Sequence, residues 1–302
     1  MDITKDYNDH KHGWKTNIID VNEIILNKKI GSGATGTVFS GTWKDISIIC
    51  KCAYLSDYDD IFELFEDINN ELLNYSKLKD TDYCCKLYGI AWNEKEGSIY
   101  IILKNYNVDG DLHDYIDKEE YWNNDLTSDY ISIWKDKKWF YNMCKKEKIE
   151  ITLSLCSALE ELHGRDIVHC DLKTNNLLYC SEEKRVIIID FGASQFMDGE
   201  KYERISRDWG TIGYTCETLN KGICHKKADI YSLSVCILEI WCGNIWNHSK
   251  DHRSSRLEVL RSLRILDKHE TELVKILRKG LNKNMDQRPY IQTFNKKIRN
   301  LF

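Results

Sequence analysis

The chain changes its hydrophobic period once, and that change limits its fold more than any other feature. Up to about Gly110 the apolar residues fall in short runs bounded by Gly, Ser or Asp: EIILNKKIG, TVFSGTW, ISIICKCA, CCKLYGIAW and GSIYIILKNY. Such runs are strand patterning. The one interruption is 58–78, where Ile61, Phe62, Leu64, Phe65, Ile68, Leu72, Tyr75 and Leu78 recur at the spacing of an amphipathic helix. Beyond Asp109-Gly110 the pattern is mainly helical, at 112–120, 149–163, 228–242 and on to the C-terminus. An irregular Trp/Lys-rich stretch covers 121–147, and short strand-like runs recur around 167–190. Segregated rather than alternating elements predict an α+β chain of two lobes. With 302 residues there is enough chain for both lobes to share one large domain with a real core. The predicted organisation is a polar arm over 1–22, a small antiparallel-sheet lobe with one long helix over about 23–106, and a mostly helical lobe over about 107–302.

Composition removes several classes of function. Apolar residues at 42% and charged residues at 30% are the balance of a soluble globular protein. A formal charge of −5 argues against a broadly cationic nucleic-acid or membrane-surface protein. No apolar run approaches the ~20 residues of a membrane span. The polar N-terminus lacks a signal-peptide apolar region, so the expectation is a protein that is not secreted. Twelve cysteines show no CxxC and no paired Cys/His zinc spacing, and most sit in apolar runs. Free thiols in a reducing compartment, cytoplasmic or nuclear, follow.

Three clusters carry chemistry. Gly31-Ser32-Gly33-Ala34-Thr35-Gly36 is a GxGxxG followed by a strand pattern, not by the helix a dinucleotide fold requires. A glycine-rich hairpin over nucleotide phosphates fits this context, as does a plain turn. Lys51 ends the next apolar strand, a poor place for a lysine unless phosphate and carboxylate face it. Glu71, on the 58–78 helix, is one candidate partner among several acids there. The third cluster is His169-Cys170-Asp171-Leu172-Lys173-Thr174-Asn175-Asn176, followed 14 residues after Asn176 by Asp190-Phe191-Gly192. Asp171 suits orientation or deprotonation of an attacking hydroxyl. Lys173 suits charge balance on a transferred phosphoryl group, and Asn176 with Asp190 offers hard oxygen ligands for Mg²⁺.

Taken in order, these motifs resemble a eukaryotic-type protein kinase over about 23–302. Gly31, Gly33, Gly36 and Val38 match the glycine loop, Ile48–Lys51 the VAIK strand, His169–Asn176 the catalytic loop and Asp190–Gly192 the DFG. Gly210-Thr211 and Tyr214–Glu217 resemble the end of an activation segment. Asp229 resembles the aspartate of the buried helix that braces the catalytic loop, and Arg288 the late arginine that pairs with Glu217. The resemblance implies a bilobal kinase fold that binds ATP and Mg²⁺, with Mn²⁺ as a substitute. It implies an ATP site of Ile30, Gly31, Ser32, Gly33, Ala34, Thr35, Gly36, Thr37, Val38, Lys51, Glu71 and Leu178. Catalysis would fall to Asp171 and Lys173, metal binding to Asn176 and Asp190. Thr211, Glu217, Asp229 and Arg288 would order the activation segment. Leu87, Tyr75, Phe191 and His169 would stack to couple the 58–78 helix to the DFG.

Lys173 and Thr211 favour Ser/Thr protein substrates, and the glycine and catalytic loops are most similar to the tyrosine-kinase-like, Raf-related group. Asp111, Asp114 and Asp117 suggest a taste for substrates with upstream basic residues. The departures are Cys170 for the usual arginine, Ile49 for a small residue, Thr35 for the aromatic loop tip and Cys216 for a proline. Cys170 implies activity without activation-segment phosphorylation at Ser194, Ser206 or nearby. Ile49, Cys170 and Thr35 keep open a pseudokinase that binds nucleotide or scaffolds partners. The gatekeeper position falls on Leu103 or Lys104.

Overall fold

The computed structural model describes residues 16–33, 36–108, 110–117, 143–197, 203–204, 210–246 and 252–302. The chain divides into two compact units, one running to Asn107 and including Asp190–Ser194, the other holding Val108–Ile189 and Gln195–Phe302. The first unit is built on strands β1 (Ile24–Gly33), β2 (Gly36–Trp43), β3 (Ile46–Tyr54), β4 (Leu87–Asn93) and β5 (Ser98–Lys104). They form one antiparallel sheet in the order β1-β2-β3-β5-β4. Alternation sorts their side chains. Residues directly opposite one another across a ladder share a face. Val38 lies opposite Lys51, and Ile49 opposite Leu103, so these four line one face. Ile48, Cys50, Cys52, Tyr100 and Ile102 line the other, where they pack with Ile19 and Ala91 as a buried cluster.

The predicted arm ends inside this sheet. Ile18 makes a parallel bridge with Ile90, and Asn17 and Ile19 exchange backbone bonds of 2.9 and 2.8 Å with Ile90. A lone apolar pair in a polar segment has no periodicity from which to predict a strand; an open sheet edge supplies it with partners.

Helix α1 (Ile61–Leu78) starts at Asp60, whose carboxylate accepts the Glu63 N–H at 2.9 Å. Its buried face carries the predicted Ile61, Leu64, Phe65, Ile68, Leu72, Tyr75 and Leu78, but also Glu71 and Asn74. Two polar residues within an apolar stripe have to be answered by partners.

In the second unit, α2 (Leu112–Asp117) precedes α3 (Lys145–Gly164), which begins four residues earlier than the sequence pattern proposed. Residues 118–142, the body of the Trp/Lys-rich stretch, lie outside the described residues. Short hairpins follow: β7 (Leu177–Cys180) pairs with β8 (Arg185–Ile188), and β6 (Ile167–Val168) with β9 (Gln195–Phe196). The last pair is β10 (Glu203–Arg204) with β11 (Ile223–Cys224). Helix α4 (Lys226–Cys242) is buried on nearly all sides, and α3, α5 (His252–Leu266) and α6 (Thr271–Gly280) pack round it. Helix α7 (Ile291–Arg299) closes on α3. No helix among the described residues is long and apolar enough to cross a membrane.

Candidate active site

The first unit assembles Lys51, Glu71 and Asp190. Lys51 Nζ donates to both Glu71 oxygens, at 3.1 and 2.9 Å, and to Asp190 Oδ1 at 2.8 Å. Burial works against the Lys51 charge, but the Asp190 and Glu71 carboxylates outweigh it and hold its pKa above the ordinary lysine range. Burial also pushes Glu71 up, with Lys51 pulling against it. We take the pair as ionised, since two hydrogen bonds join it and a second carboxylate backs the cation. Of the acids on α1, it is the one in the buried face that meets Lys51, a distinction that spacing could not make. Asp190 adopts φ 60°, a left-handed conformation that an aspartate tolerates at some cost, and its side chain remains 39% exposed.

Around Lys51 the sheet face carries Val38, Ile49 and Leu103, with half-exposed Ile30 on β1. Leu103 therefore shares the Lys51 face. Lys104 points the other way, opposite Ile48, and its ammonium lies 4.8 Å from the Tyr106 ring centre. In the glycine hairpin, Gly31 pairs with Val38, Ser32 with Thr37 and Gly33 with Gly36; Ala34 and Thr35 lie outside the described residues. Gly36 has φ 133°, and a Cβ there would sit 2.4 Å from the Cys52 carbonyl oxygen, so only glycine fits. A Cβ on Gly33 would meet nothing within 4 Å, leaving open space beside the hairpin backbone.

The second unit assembles Asp171, Lys173, Asn176 and Thr211. Asp171 Oδ1 accepts from the Thr211 hydroxyl at 2.8 Å. Asp171 Oδ2 pairs with Lys173 Nζ at 2.9 Å and accepts from Asn176 Nδ2 at 3.2 Å. Lys173 also donates to Thr211 Oγ1 at 2.7 Å. The loop that carries them hangs from Asp229 on α4. Its carboxylate is fully buried and accepts the His169 N–H at 2.8 Å and the Cys170 N–H at 3.1 Å. His163 Nε2 lies 2.9 Å from the same carboxylate. His169 Nδ1 accepts the Asp171 N–H, which leaves Nε2–H to donate to the Ile189 carbonyl and fixes the ring. Leu178 is half-buried on β7, opposite Ile187.

Cys170 has φ 65° and is fully buried, with its Sγ 3.3 Å from Cys224 Sγ, itself 3.5 Å from Met197 Sδ. Where an arginine would present charge, the chain has built an apolar sulfur contact. Hydrogen bonding to Cys224 and burial push the Cys170 thiol well up, which keeps it neutral.

The Glu217–Arg288 pair expected from the sequence is not formed. Glu217 is exposed and bonds to Lys221 at 2.9 Å, one turn along. Arg288 is 2% exposed and donates instead to the Asn282 and Lys227 carbonyls, at 2.8 and 3.0 Å, with its guanidinium over the Tyr231 ring. A buried guanidinium met by carbonyls and an aromatic face does not need the carboxylate. Asp111 and Asp117 are also engaged within the chain. Asp111 caps α2 through the Asp114 N–H at 2.9 Å and accepts from Asn175 at 3.1 Å, while Asp117 accepts from Asn244.

Sequence reasoning missed Glu239. It is fully buried on α4, accepts from the Tyr214 hydroxyl, and accepts from Thr174 at 3.0 Å. The Trp246 indole donates to Tyr214 at 2.9 Å and completes the group. A lone glutamate in an apolar 15-residue run was the available signal. Also missed were Asn70 and Asn74 on α1.

Comparison with known proteins accords with this geometry. The family described as protein tyrosine and serine/threonine kinase matches residues 24–298. The chain is 27% identical over 295 residues to "Probable serine/threonine-protein kinase gdt2" of Dictyostelium discoideum, covering 95% of this chain and 16% of that protein. It is 30% identical over 241 residues to "Probable serine/threonine-protein kinase drkC" of the same organism, covering 77% and 28%. Wall-associated receptor kinase 4 of Arabidopsis thaliana is 27% identical over 222 residues, covering 72% and 26%. The chain thus spans less than a third of the length of each of these relatives.

Proposed function

The chain belongs to the protein tyrosine and serine/threonine kinase family, and from that premise we propose that it transfers the γ-phosphoryl group of ATP to Ser/Thr hydroxyls of protein substrates. The observation that carries this reading is the set of charged and polar groups held in each unit: Lys51–Glu71–Asp190 in one, Asp171–Lys173–Asn176–Thr211 in the other. The names of its relatives, two of them serine/threonine kinases, support the acceptor class.

The family uses ATP and a divalent metal. The chain's donors fit both. The open space beside Gly33 lets backbone N–H groups approach phosphate oxygens, and Lys51 stays cationic beside them. From the first unit, Ile30 to Gly33, Gly36 to Val38, Ile49 and Leu103 would line the nucleotide site, with Leu103 the gatekeeper because it shares the Lys51 face. Asn176 and Asp190 are hard oxygen donors of the kind Mg²⁺ or Mn²⁺ accepts, and the metal would neutralise charge on the phosphates.

Asp171 would receive the substrate hydroxyl. A carboxylate accepts at about four positions, and Thr211, Lys173 and Asn176 fill three. The remaining position can take the hydroxyl proton as the oxygen attacks phosphorus in line, while Lys173 offsets charge on the transferred group. Positioning and electrostatics, rather than covalent chemistry, would supply most of the rate. A pseudokinase reading is weakened because no member of either set is lost. Basic residues upstream of the acceptor would be read by Asp111, Asp114 and Asp117, whose carboxylates each keep acceptor positions beyond their bonds within the chain.

The test is incubation with Mg-ATP and generic basic substrates, read as phosphate incorporation, with Asp190→Asn as control. Incorporation that the control abolishes supports the reading. Equal signals from both, or none from either, refute it.

A further inference from the structure

Helix α1 meets the Asp190–Ser194 segment at two places. One is aromatic: the Tyr75 and Phe191 rings lie edge to face, with centres 5.2 Å apart. The other is polar. Asn70 Nδ2 and Asn74 Nδ2, one turn apart on α1, each donate to the Ser194 carbonyl oxygen at 3.0 Å. The same residue ends a turn, its N–H donating to Phe191 O at 3.0 Å.

This arrangement runs against local physics. Asn74 occupies a position in the apolar stripe between Leu72 and Leu78, is fully buried, and leaves its Oδ1 with no hydrogen-bond partner among the described residues. Asn is also a weak helix former. A leucine there would extend the stripe and remove an unsatisfied buried oxygen, which offsets the bond to the Ser194 carbonyl that it would lose, so stability alone does not account for the asparagine. Places where a chain breaks a packing rule and leaves a buried polar atom unpaired are where function is expected.

From this we infer that Asn70 and Asn74 are positioning residues, a two-amide latch that holds the Asp190 segment against α1 so that Lys51, Glu71 and Asp190 stay assembled. Glu71 lies next to Asn70 on the same helix, and Asp190 lies four residues before Ser194. The latch therefore joins, through backbone, the two carboxylates that grip Lys51. The bonds of both asparagines go to Ser194 and not to Lys51. The inference rests on the kinase reading only for its effect on turnover.

The experiment compares wild type with Asn70→Leu/Asn74→Leu and with Asn70→Gln, which keeps the donor at the half-buried position. Thermal unfolding, hydrogen exchange of the 190–196 backbone, and kcat and KM for a basic peptide substrate are measured. With the double leucine variant, the melting temperature is expected to change little, because added apolar contact and the removal of Asn74 Oδ1 offset the two lost bonds. Exchange over 190–196 is expected to quicken by about five- to a hundredfold, and kcat to fall with little change in peptide KM. Asn70→Gln is expected to keep wild-type exchange. Unchanged exchange in the double variant overturns the latch, as does faster exchange that appears only with a lowered melting temperature. If wild type itself transfers no phosphate, the kinase reading fails while the exchange result still decides the latch.

Discussion

Four single side chains carry the sharpest expectations. Lys51→Met, Asp190→Asn and Asp171→Asn each remove one charged group from a set whose other members stay in place, so each protein should fold and lose transfer. The loss expected for a positioned acid–base or charge-stabilising group is about 10²–10⁴-fold, measured as phosphate incorporation at saturating Mg-ATP. Retention of more than a tenth of wild-type rate in Asp171→Asn would remove Asp171 from the role of base. Cys170 leads to a different test. Its thiol packs on Cys224, which in turn meets Met197, and offers no positive charge to a phosphate, and Ser194, one predicted phosphosite, is fully buried. Ser206 lies outside the described residues. Phosphatase treatment is therefore expected to leave turnover unchanged, and a collapse of activity would show that some phosphate is needed. Most of these residues could be read from the sequence because the family's motif fixes their order. Glu71 could be named but not distinguished from Glu63, Glu66 or Asp67, since only burial against Lys51 separates them.

Among the elements, the strands and helices followed periodicity closely, and the departures have a common cause. The 16–20 segment pairs with the β4 edge because Gly89 lets it approach: a Cβ at 89 would lie 2.5 Å from the Asn17 carbonyl oxygen and 2.8 Å from Ile19 Cδ1. Gly89→Ala should therefore push this segment off the sheet. A cost of about 1–3 kcal/mol is expected for such overpacking, seen as a lower melting temperature and lost exchange protection at the Ile19 and Ile90 amides. Protection that persists at both amides would show that the segment tolerates the methyl group. No pattern in residues 1–22 signals this pairing, because a strand that adds to an edge needs only backbone groups. Likewise Glu217 and Arg288 were matched by motif, yet Glu217 turns outward to Lys221 while Arg288 finds carbonyls and Tyr231.

For the whole molecule, stability should report on a buried carboxyl group. Burial pushes the Glu239 carboxyl up to about 8 from an ordinary 4.5, although bonds from Tyr214 and Thr174 pull it down. Between these values the folded chain holds a proton that the unfolded chain has released. The stabilising contribution is therefore complete below about pH 4.5 and is lost as pH rises towards 8. Denaturant unfolding at several pH values across this range should show wild type losing stability relative to Glu239→Gln as pH rises. Parallel pH profiles for the two proteins would show that Glu239 does not titrate there.

The sequence by itself determined the α+β class, the strand-then-helix order and the identity of the chemical groups, because periodicity and motif order are properties of the chain alone. It did not determine which groups meet. The choice of Glu71, the sulfur contact of Cys170, the bond from Tyr214 to Glu239 and the two amides on Ser194 join residues 20 to 124 positions apart. Such contacts depend on burial, and burial exists only once the backbone has closed: a low-dielectric interior makes a carboxylate or an amide costly until it finds its partner.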